Sequence, residues 1–426
     1  MTGVRSGRVD LPVTNDVLPK GKRVLLLVPA VTYRATDFVL AARRLELDLV
    51  IGSDGALPLG GQPVVHVDAG DPSTSSQHVL ARVGALDAVV AVDSQMLGLA
   101  AEIAATMGLP HNPVGAVAAA ADKAAQRCLW ARSGVSQPAF RIVSADTEEP
   151  DAARQAKELG FPCVVKAASL SGSRAVLRAN TESEVTAAVI EIQRILAETE
   201  KASSDHIVIE EYVPGAELSI DGLLSDRRLT VTAIFDKPDT PEGPTFEETL
   251  LVTPSELAQP VLTSATEIVE QAASALGLRY GPIHAELRID TRSGEARLRM
   301  LELAARSIGG LCSRALHFLD GASLEMMVLL HSLGCRVQAP RLTGAAGVLM
   351  LPVEKAGRLE GIEGGEEALA VAGITGLSIT IPLGDVVRPL PWGDRYLGFI
   401  FAEGDNVSGV RDALRAAHRK IRAVIN

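Results

Sequence analysis

Four short apolar runs separated by helical text constrain the N-terminal part of this chain more than any other feature: Val24–Pro29, Leu47–Ile51, Val64–Val67 and Ala88–Val92. Runs of this length, rich in Val, Ile and Leu and free of polar alternation, fit strands of a parallel sheet buried between two layers of helices. With helices expected near 37–45, 75–84 and 94–107, the alternation predicts a doubly wound α/β domain over 22–115, after a polar leader over 1–21. Ligands of such sheets bind beyond the carboxyl ends of the strands. No Gly-x-Gly-x-x-Gly follows the first run, and there is no Walker A motif, because the only Gly-Lys pair, Gly21-Lys22, lies in the leader and is followed by Arg23.

Pro110, Asn112 and Pro113 mark a boundary, beyond which strands and helices mix in α+β fashion. Ala116–Ala131 reads as one helix with Asp122 and Lys123 near its middle. Strands are expected at Cys163–Ala167 and Ile207–Tyr212, helices at Glu182–Leu196 and Pro260–Leu276, and a hairpin across Asp290–Glu295. A final unit has strands at Gly347–Leu351 and Leu377–Ile381 and a helix from about Asn406 to Val424, with Arg419, Lys420 and Arg422 near the end that favours cations. The expected class is therefore multidomain α/β and α+β, divided at 116–340, with a subdomain over about 137–212, and at 341–426.

Composition removes several functions. Among 426 residues, 41 Lys+Arg against 52 Asp+Glu give a net charge of −11, and no basic run is interleaved with aromatics, which argues against nucleic-acid binding. No stretch reaches about 18 apolar residues and the N-terminus lacks an apolar signal segment, so no membrane association and a cytoplasmic location are expected. Cys128, Cys163, Cys312 and Cys335 lack metal or redox spacing and read as buried free thiols.

The chemistry gathers in the hairpin. Alternation in Pro282–Asp290 directs His284, Glu286 and Arg288 to one face, and the return run Arg297–Arg306 directs Glu302 and Arg306 to a common face. Two carboxylates among apolar neighbours are costly unless a cation lies between them, and Mg²⁺ bridging substrate phosphates would serve. A surface sheet with cross-strand Glu/Arg pairs fits the same pattern. Lys166 ends the run Pro162–Lys166 and precedes the small-residue loop Ala167–Val176, whose backbone N–H groups suit phosphate oxygens. Ile207–Glu217 is a strand breaking at Pro214-Gly215, with Glu217 beyond it, able to meet an adenine edge and ribose hydroxyls. The Pro- and Gly-rich segment Asp236–Thr249 reads as a loop that excludes water from a reacting centre.

Together, Ala120–Lys123, Val164–Lys166 with its Ser/Gly loop, Glu210–Glu217, His284–Glu286 and Glu302–Gly310 resemble the ATP-grasp superfamily. The likeness is to its carboxylate–amine ligase branch, similar to bacterial L-amino-acid ligases that make dipeptides, and runs from about residue 22 to the C-terminus. It implies a pre-ATP-grasp N-terminal domain, an ATP-grasp fold and a small C-terminal α+β domain. It implies further that Lys123 and Lys166 contact ATP phosphates under a loop formed by Ser171, Gly172 and Ser173. Glu210, Tyr212 and Val213 would line the adenine pocket, Glu217 would meet the ribose, and Lys237 would reach the terminal phosphate. Glu286 and Glu302 would hold Mg²⁺, or Mn²⁺. Arg306 would lie at the reacting carboxyl, with Gly309 and Gly310 beside it and His284 at the substrate.

Two positions depart from the family pattern: Ala304 stands where many members have Asn, and Ala175 where glycine is frequent. The implied activity is ATP-dependent amide or peptide bond formation between a small carboxylic or amino acid and an amine, through an acylphosphate, giving ADP and phosphate. The alternative is an ATP-grasp carboxylase or purine-biosynthesis enzyme activating bicarbonate or formate. The expected partners are small-molecule carboxylate and amine substrates, and beyond them only a second copy of the chain in a homodimer.

Overall fold

The computed structural model describes residues 19–55, 64–199, 205–292 and 294–426. Most of the leader, and Ser293 of the hairpin turn, lie outside the described residues. The first unit comprises β1 (Arg23–Val28), α1 (Ala35–Arg44), β2 (Asp48–Ser53), β3 (Val64–His66), α2 (Pro72–Val83), β4 (Ala88–Ala91) and α3 (Leu97–Met107). Its strands form a parallel sheet in the order β3-β2-β1-β4. Both faces of β1 are buried: Val24, Leu26 and Val28 pack with Phe38 and Ala42 of α1, whereas Leu25 and Leu27 pack with Val79 of α2 and Leu99 and Ile103 of α3. Alternation along a strand sends successive side chains to opposite helix layers, as a doubly wound sheet requires.

The connection to the next unit differs from the single helix expected over Ala116–Ala131. It is two helices, α4 (Val114–Ala120) and α5 (Lys123–Arg132), because Asp122 adopts an extended backbone and its carboxylate accepts from Ala124 N and Ala125 N at 2.7 and 3.0 Å. An N-cap at this point makes Lys123 the first residue of α5, and its own N–H donates to Ala168 O at 3.0 Å.

A four-stranded antiparallel sheet follows, in the order β5-β8-β6-β7, from β5 (Phe140–Ser144), β6 (Cys163–Ala167), β7 (Val176–Ala179) and β8 (His206–Glu211). It packs on α6 (Glu149–Leu159) and α7 (Glu182–Ala197) through Ala152, Ala156, Val165, Val185, Val189 and Ile209. The chain leaves it at Gly215, where φ is +112° and a Cβ would lie 2.1 Å from Ile289 O, so only glycine fits.

The main sheet has eight strands, ordered β13-β12-β9-β10-β11-β14-β18-β16. Its members are β9 (Glu217–Ser225), β10 (Arg228–Lys237), β11 (Leu250–Thr253), β12 (Tyr280–Asp290), β13 (Arg297–Ala304), β14 (Ala345–Leu351), β16 (Ile374–Ile379) and β18 (Gly398–Gly404), with α8 (Gln259–Ala275) and α9 (Leu324–Ser332) between β11 and β14. β15 (Gly357–Glu363), α10 (Gly365–Leu369), β17 (Val386–Val387), α11 (Val407–His418) and β19 (Arg422–Ile425) complete the C-terminal part. The final helix is thus shorter than the expected span to Val424. It stops at His418, and Arg422–Ile425 pairs with β15, with Arg422 ion-paired to Glu363 at 2.6 Å. A short run ending in Ala-Val-Ile follows strand chemistry once an edge is offered to it.

All four cysteines are free, and Cys163 and Cys312 are buried, but Cys128 is exposed and Cys335 half-buried rather than buried as expected. No helix among the described residues is long and apolar enough to cross a membrane. Because the α4–α5 break depends on one cap, Asp122→Ala should lower stability by about 1 kcal/mol, read as an earlier midpoint in denaturant unfolding.

Candidate active site

Register fixes the centre of the site. β12 pairs with β9 so that His284, Glu286 and Arg288 stand opposite Asp221, Ser219 and Glu217, and with β13 so that Glu286 stands opposite Glu302. The three polar residues of β12 share one face, as their alternation predicts. A bulge follows Glu286, since Leu287 pairs with Met300 and leaves Leu301 unmatched on β13. The Leu301 carbonyl is taken by Arg127 Nη2 at 2.7 Å.

Lys237, at the end of β10, is buried among three carboxylates. Its ammonium lies 2.7 Å from Glu217 and 3.0 Å from Glu286, and also contacts Glu248. Burial opposes its charge, but these carboxylates override burial and hold the amine well above the ordinary lysine range. Glu286 is the converse: burial works against ionisation, yet Lys237 and His284 keep its carboxyl well below the usual range. Glu248 is pushed up to about 7, first by burial and then by its acidic neighbours, despite Lys237. The ligand oxygens of Glu217, Glu248 and Glu286 lie within 4.8 Å of one another, and the Lys237 ammonium contacts all three carboxylates. Arg288 adds a second cation on Glu217, at 2.8 Å.

Glu302 faces another lysine, Lys123 Nζ, at 3.3 Å. Lys123 also donates to Leu170 O, at the start of the Ser/Gly loop. On β6, Lys166 contacts Glu210 Oε1 at 2.5 Å, while Arg127 Nε donates to Glu210 Oε2 at 2.8 Å. Burial lowers the Lys166 pKa to about 8, with Glu210 partly offsetting it. Both oxygens of Glu210 and both of Glu217 are therefore engaged by basic side chains of the protein.

The Tyr212 ring packs under the guanidinium groups of Arg178, at 4.3 Å, and Arg288, at 5.4 Å, and Val213 is buried beside it. Ser171 and Gly172 are exposed, and Gly172, Ser173 and Ala175 all have left-handed backbones, with φ of 66°, 58° and 55°. The glycine-like position of Ala175 is therefore real: alanine adopts a conformation that costs roughly 1–2 kcal/mol. Its N–H is held by Pro391 O of the C-terminal part at 3.0 Å. The 236–249 segment crosses from the main sheet to the smaller one, where Thr245 bridges Leu177 and Glu242 O accepts from Arg178 at 2.7 Å.

Arg306 lies two residues beyond β13. Its Nε donates to Ser94 Oγ at 3.0 Å and its Nη1 to Ser307 O at 2.9 Å, with Gly309 against the fork. Gly310 has φ of 62°, and a Cβ there would meet the Phe399 ring at 2.7 Å. A polar chain joins this loop to the carboxylates: Ile308 N donates to Asp221 at 2.8 Å, Asp221 bonds His284 Nδ1 at 3.0 Å, and His284 Nε2 lies 3.5 Å from Glu286. Burial disfavours the charged imidazole, but Asp221 raises its pKa to about 9.

The candidate residues from the sequence thus lie on β6, β8, β9, β10, β12 and β13, at the start of α5, just after β8, and in the loops after β6 and β13. Arg127, Asp221, Glu248 and Ser94 also belong to the arrangement without being marked by sequence pattern, Arg127 excepted. Arg127 had a signal, being four residues after Lys123 on one helix face; the others arrive from distant elements.

Glu286 and Glu302 offer hard oxygen donors from adjacent strands and are part-exposed, at 24% and 32%. Such a pair fits a small divalent cation that keeps its waters and binds phosphate.

A model of the ATP-grasp domain matches residues 159–315, and one of the L-amino acid ligase C-terminal domain 2 matches 349–426. The chain carries an ATP-grasp domain. The chain with this ATP-grasp domain superposes on the crystal structure of an L-amino acid ligase from Bacillus licheniformis with a TM-score of 0.81 at 22% identity, covering 96% of this chain and 99% of that one. It is 25% identical to an uncharacterized protein of Sinorhizobium fredii over 94% of this chain and 83% of the relative. It is also 27% identical to a D-alanine--D-alanine ligase of Aromatoleum aromaticum over 62% of this chain and 83% of that protein.

Within the ATP-grasp domain, Glu210 is the counter-charge of two buried cations. Glu210→Ala should cost about 3–5 kcal/mol, the usual penalty for breaking a buried pair from one side, measured by denaturant unfolding against wild type.

Proposed function

We propose that this protein is an ATP-dependent carboxylate–amine ligase that joins a small carboxylic or amino acid to an amine through an acylphosphate. The observation that carries the reading is the facing pair Glu286 and Glu302, each with its own lysine, joined through Asp221 and His284 to the loop bearing Arg306. Separately compensated carboxylates of this kind suit a site that must receive a polyanion together with its counter-cation.

A carboxylate is a poor electrophile towards an amine. Transfer of the γ-phosphoryl group of ATP forms a carboxyl O–P bond and breaks the γ-phosphorus bond to ADP. Amine attack on the acyl carbon then breaks the acyl C–O bond and expels phosphate. Little covalent work falls to the protein, so positioning and charge neutralisation dominate. Lys123 and Lys166 neutralise phosphate oxygens, the Ser171–Ser173 loop folds over them, and Lys237 reaches the terminal phosphate beside Glu286. Arg306 holds the reacting carboxylate and then the oxyanion, its fixed fork suiting two oxygens. Glu286 and Glu302 would hold Mg²⁺, which spreads the charge of the phosphates when bound. The 236–249 segment, tied to the smaller sheet, keeps water from the acylphosphate.

The test is phosphate release from MgATP with L-amino acids singly and in pairs, and with bicarbonate or formate in parallel, followed by mass spectrometry of the products. Amino-acid-dependent release with an amide product supports the reading, and release that needs bicarbonate or formate instead replaces it. Arg306→Ala should lower the ligation rate by at least about a hundredfold with MgATP binding retained; a wild-type rate would remove Arg306 from its role. Lys166 predicts a pH effect. With its pKa lowered to about 8, it loses its charge as pH rises through that value, so MgATP affinity should weaken above pH 8 by up to about tenfold per unit. Lys166→Arg should flatten that dependence in titrations of MgATP binding, because arginine stays protonated.

A further inference from the structure

We propose that Ser94 is a positioning residue for Arg306, through which the N-terminal sheet aims the guanidinium at the substrate carboxylate. The inference deepens the ligase reading and rests on it. Ser94 opens a short 3₁₀ turn just beyond the carboxyl end of β4, in the crevice where β1 and β4 run in parallel and their connections depart to opposite faces. That is where ligands of doubly wound sheets collect. Here the crevice is filled by protein: the loop after β13 enters it.

The entry is held at two points. Arg34, buried at 4% exposure just beyond β1, donates from Nη2 to Ser307 Oγ at 2.7 Å and from Nη1 to Val92 O at 2.6 Å and Asp93 Oδ1 at 2.9 Å. Thr32 Oγ1 donates to the other oxygen of Asp93 at 2.7 Å, so that carboxylate is fixed as well. From the main sheet, Asp221 accepts Ile308 N at 2.8 Å. The loop just beyond Arg306 is therefore held from the N-terminal unit through Ser307 and from the main sheet through Ile308, and the remaining freedom lies in the long Arg306 side chain.

Ser94 removes that freedom. It accepts from Nε at 3.0 Å, while Nη1 is tied to Ser307 O at 2.9 Å. Nη2 has no hydrogen-bond partner among the described residues. Gly309 leaves the adjoining face open, since a Cβ there would lie in van der Waals contact with the fork, 3.6 Å from Nη1 and 3.8 Å from Nη2. A fork with Nε and Nη1 engaged by protein presents its remaining donors in a set direction, which is what a carboxylate entering for phosphorylation requires.

The full-length protein tests this with hydroxylamine as the amine and each L-amino acid in turn as the carboxylate, scoring the hydroxamate. Ser94→Ala should lower kcat/KM for the amino acid by about tenfold or more while KM for MgATP stays within about twofold and the melting temperature is unchanged. Ser94→Thr, which keeps the hydroxyl, should restore the rate. In an Arg306→Lys background, which lacks the Nε contact, Ser94→Ala should have no further effect. Wild-type kcat/KM in Ser94→Ala, or the same loss in both backgrounds, would overturn the inference and leave the ligase reading standing. Absence of hydroxamate from the wild-type protein with every amino acid would overturn the ligase reading for amino-acid carboxylates, on which the inference rests.

Discussion

Two carboxylates, Glu286 and Glu302, face each other across one antiparallel strand pair. Like charges directly opposite on a sheet repel, so their placement is tolerable only because each has a cation from a different part of the fold. Lys237 arrives from β10, at 3.0 Å from Glu286, and Lys123 from the capped start of α5, at 3.3 Å from Glu302. Remove the Asp122 cap and Lys123 no longer has a reason to stand there. Remove the bulge after Glu286 and Leu301 no longer presents its carbonyl to Arg127, which in turn supports Glu210 and Lys166. Local backbone features thus propagate into the charge arrangement of the whole site.

Within the site, Glu210, Glu217, Glu248, Glu286 and Glu302 each touch a basic side chain. Isolated, any of them would carry a large desolvation penalty; paired, they hold strand ends in register and leave the site charged where a polyanion can exchange for an acidic partner. The smaller sheet contributes Lys166 and the left-handed turn at Gly172–Ala175, and this turn is anchored by Pro391 O from the C-terminal part. The Trp392 indole, donating to Glu191 at 2.5 Å, and Arg388, 3.0 Å from Glu198, extend that anchorage along α7. The smaller sheet with its helix α7 and the C-terminal part therefore meet around one loop.

Much of this was legible in the sequence because it rests on periodicity. Short apolar runs marked the parallel strands, and the alternation of His284, Glu286 and Arg288 marked one face of β12. The α4–α5 break was hidden by its own composition, since Ala116–Ala131 is made almost wholly of helix formers and only Asp122 interrupts it. Arg422–Ile425 is hidden for another reason: four residues carry too little pattern to outvote a preceding helix, and the strand exists because β15 offers an edge. Glu248, Ser94 and Arg34 were invisible because their roles come from tertiary contact. Exposure of Cys128 follows from its position on α5, where the core-facing residues are Ala124, Arg127 and Trp130.

The central claim is that a carboxylate oxygen is phosphorylated by ATP in this site. It is met most directly by supplying the amino acid with ¹⁸O in its carboxyl group, together with MgATP and an amine, and examining the released phosphate by ³¹P NMR. Passage through an acylphosphate transfers one carboxyl oxygen to phosphate, so the account predicts one ¹⁸O in each phosphate formed with product. Phosphate free of the label, at a rate matching amide formation, would contradict it.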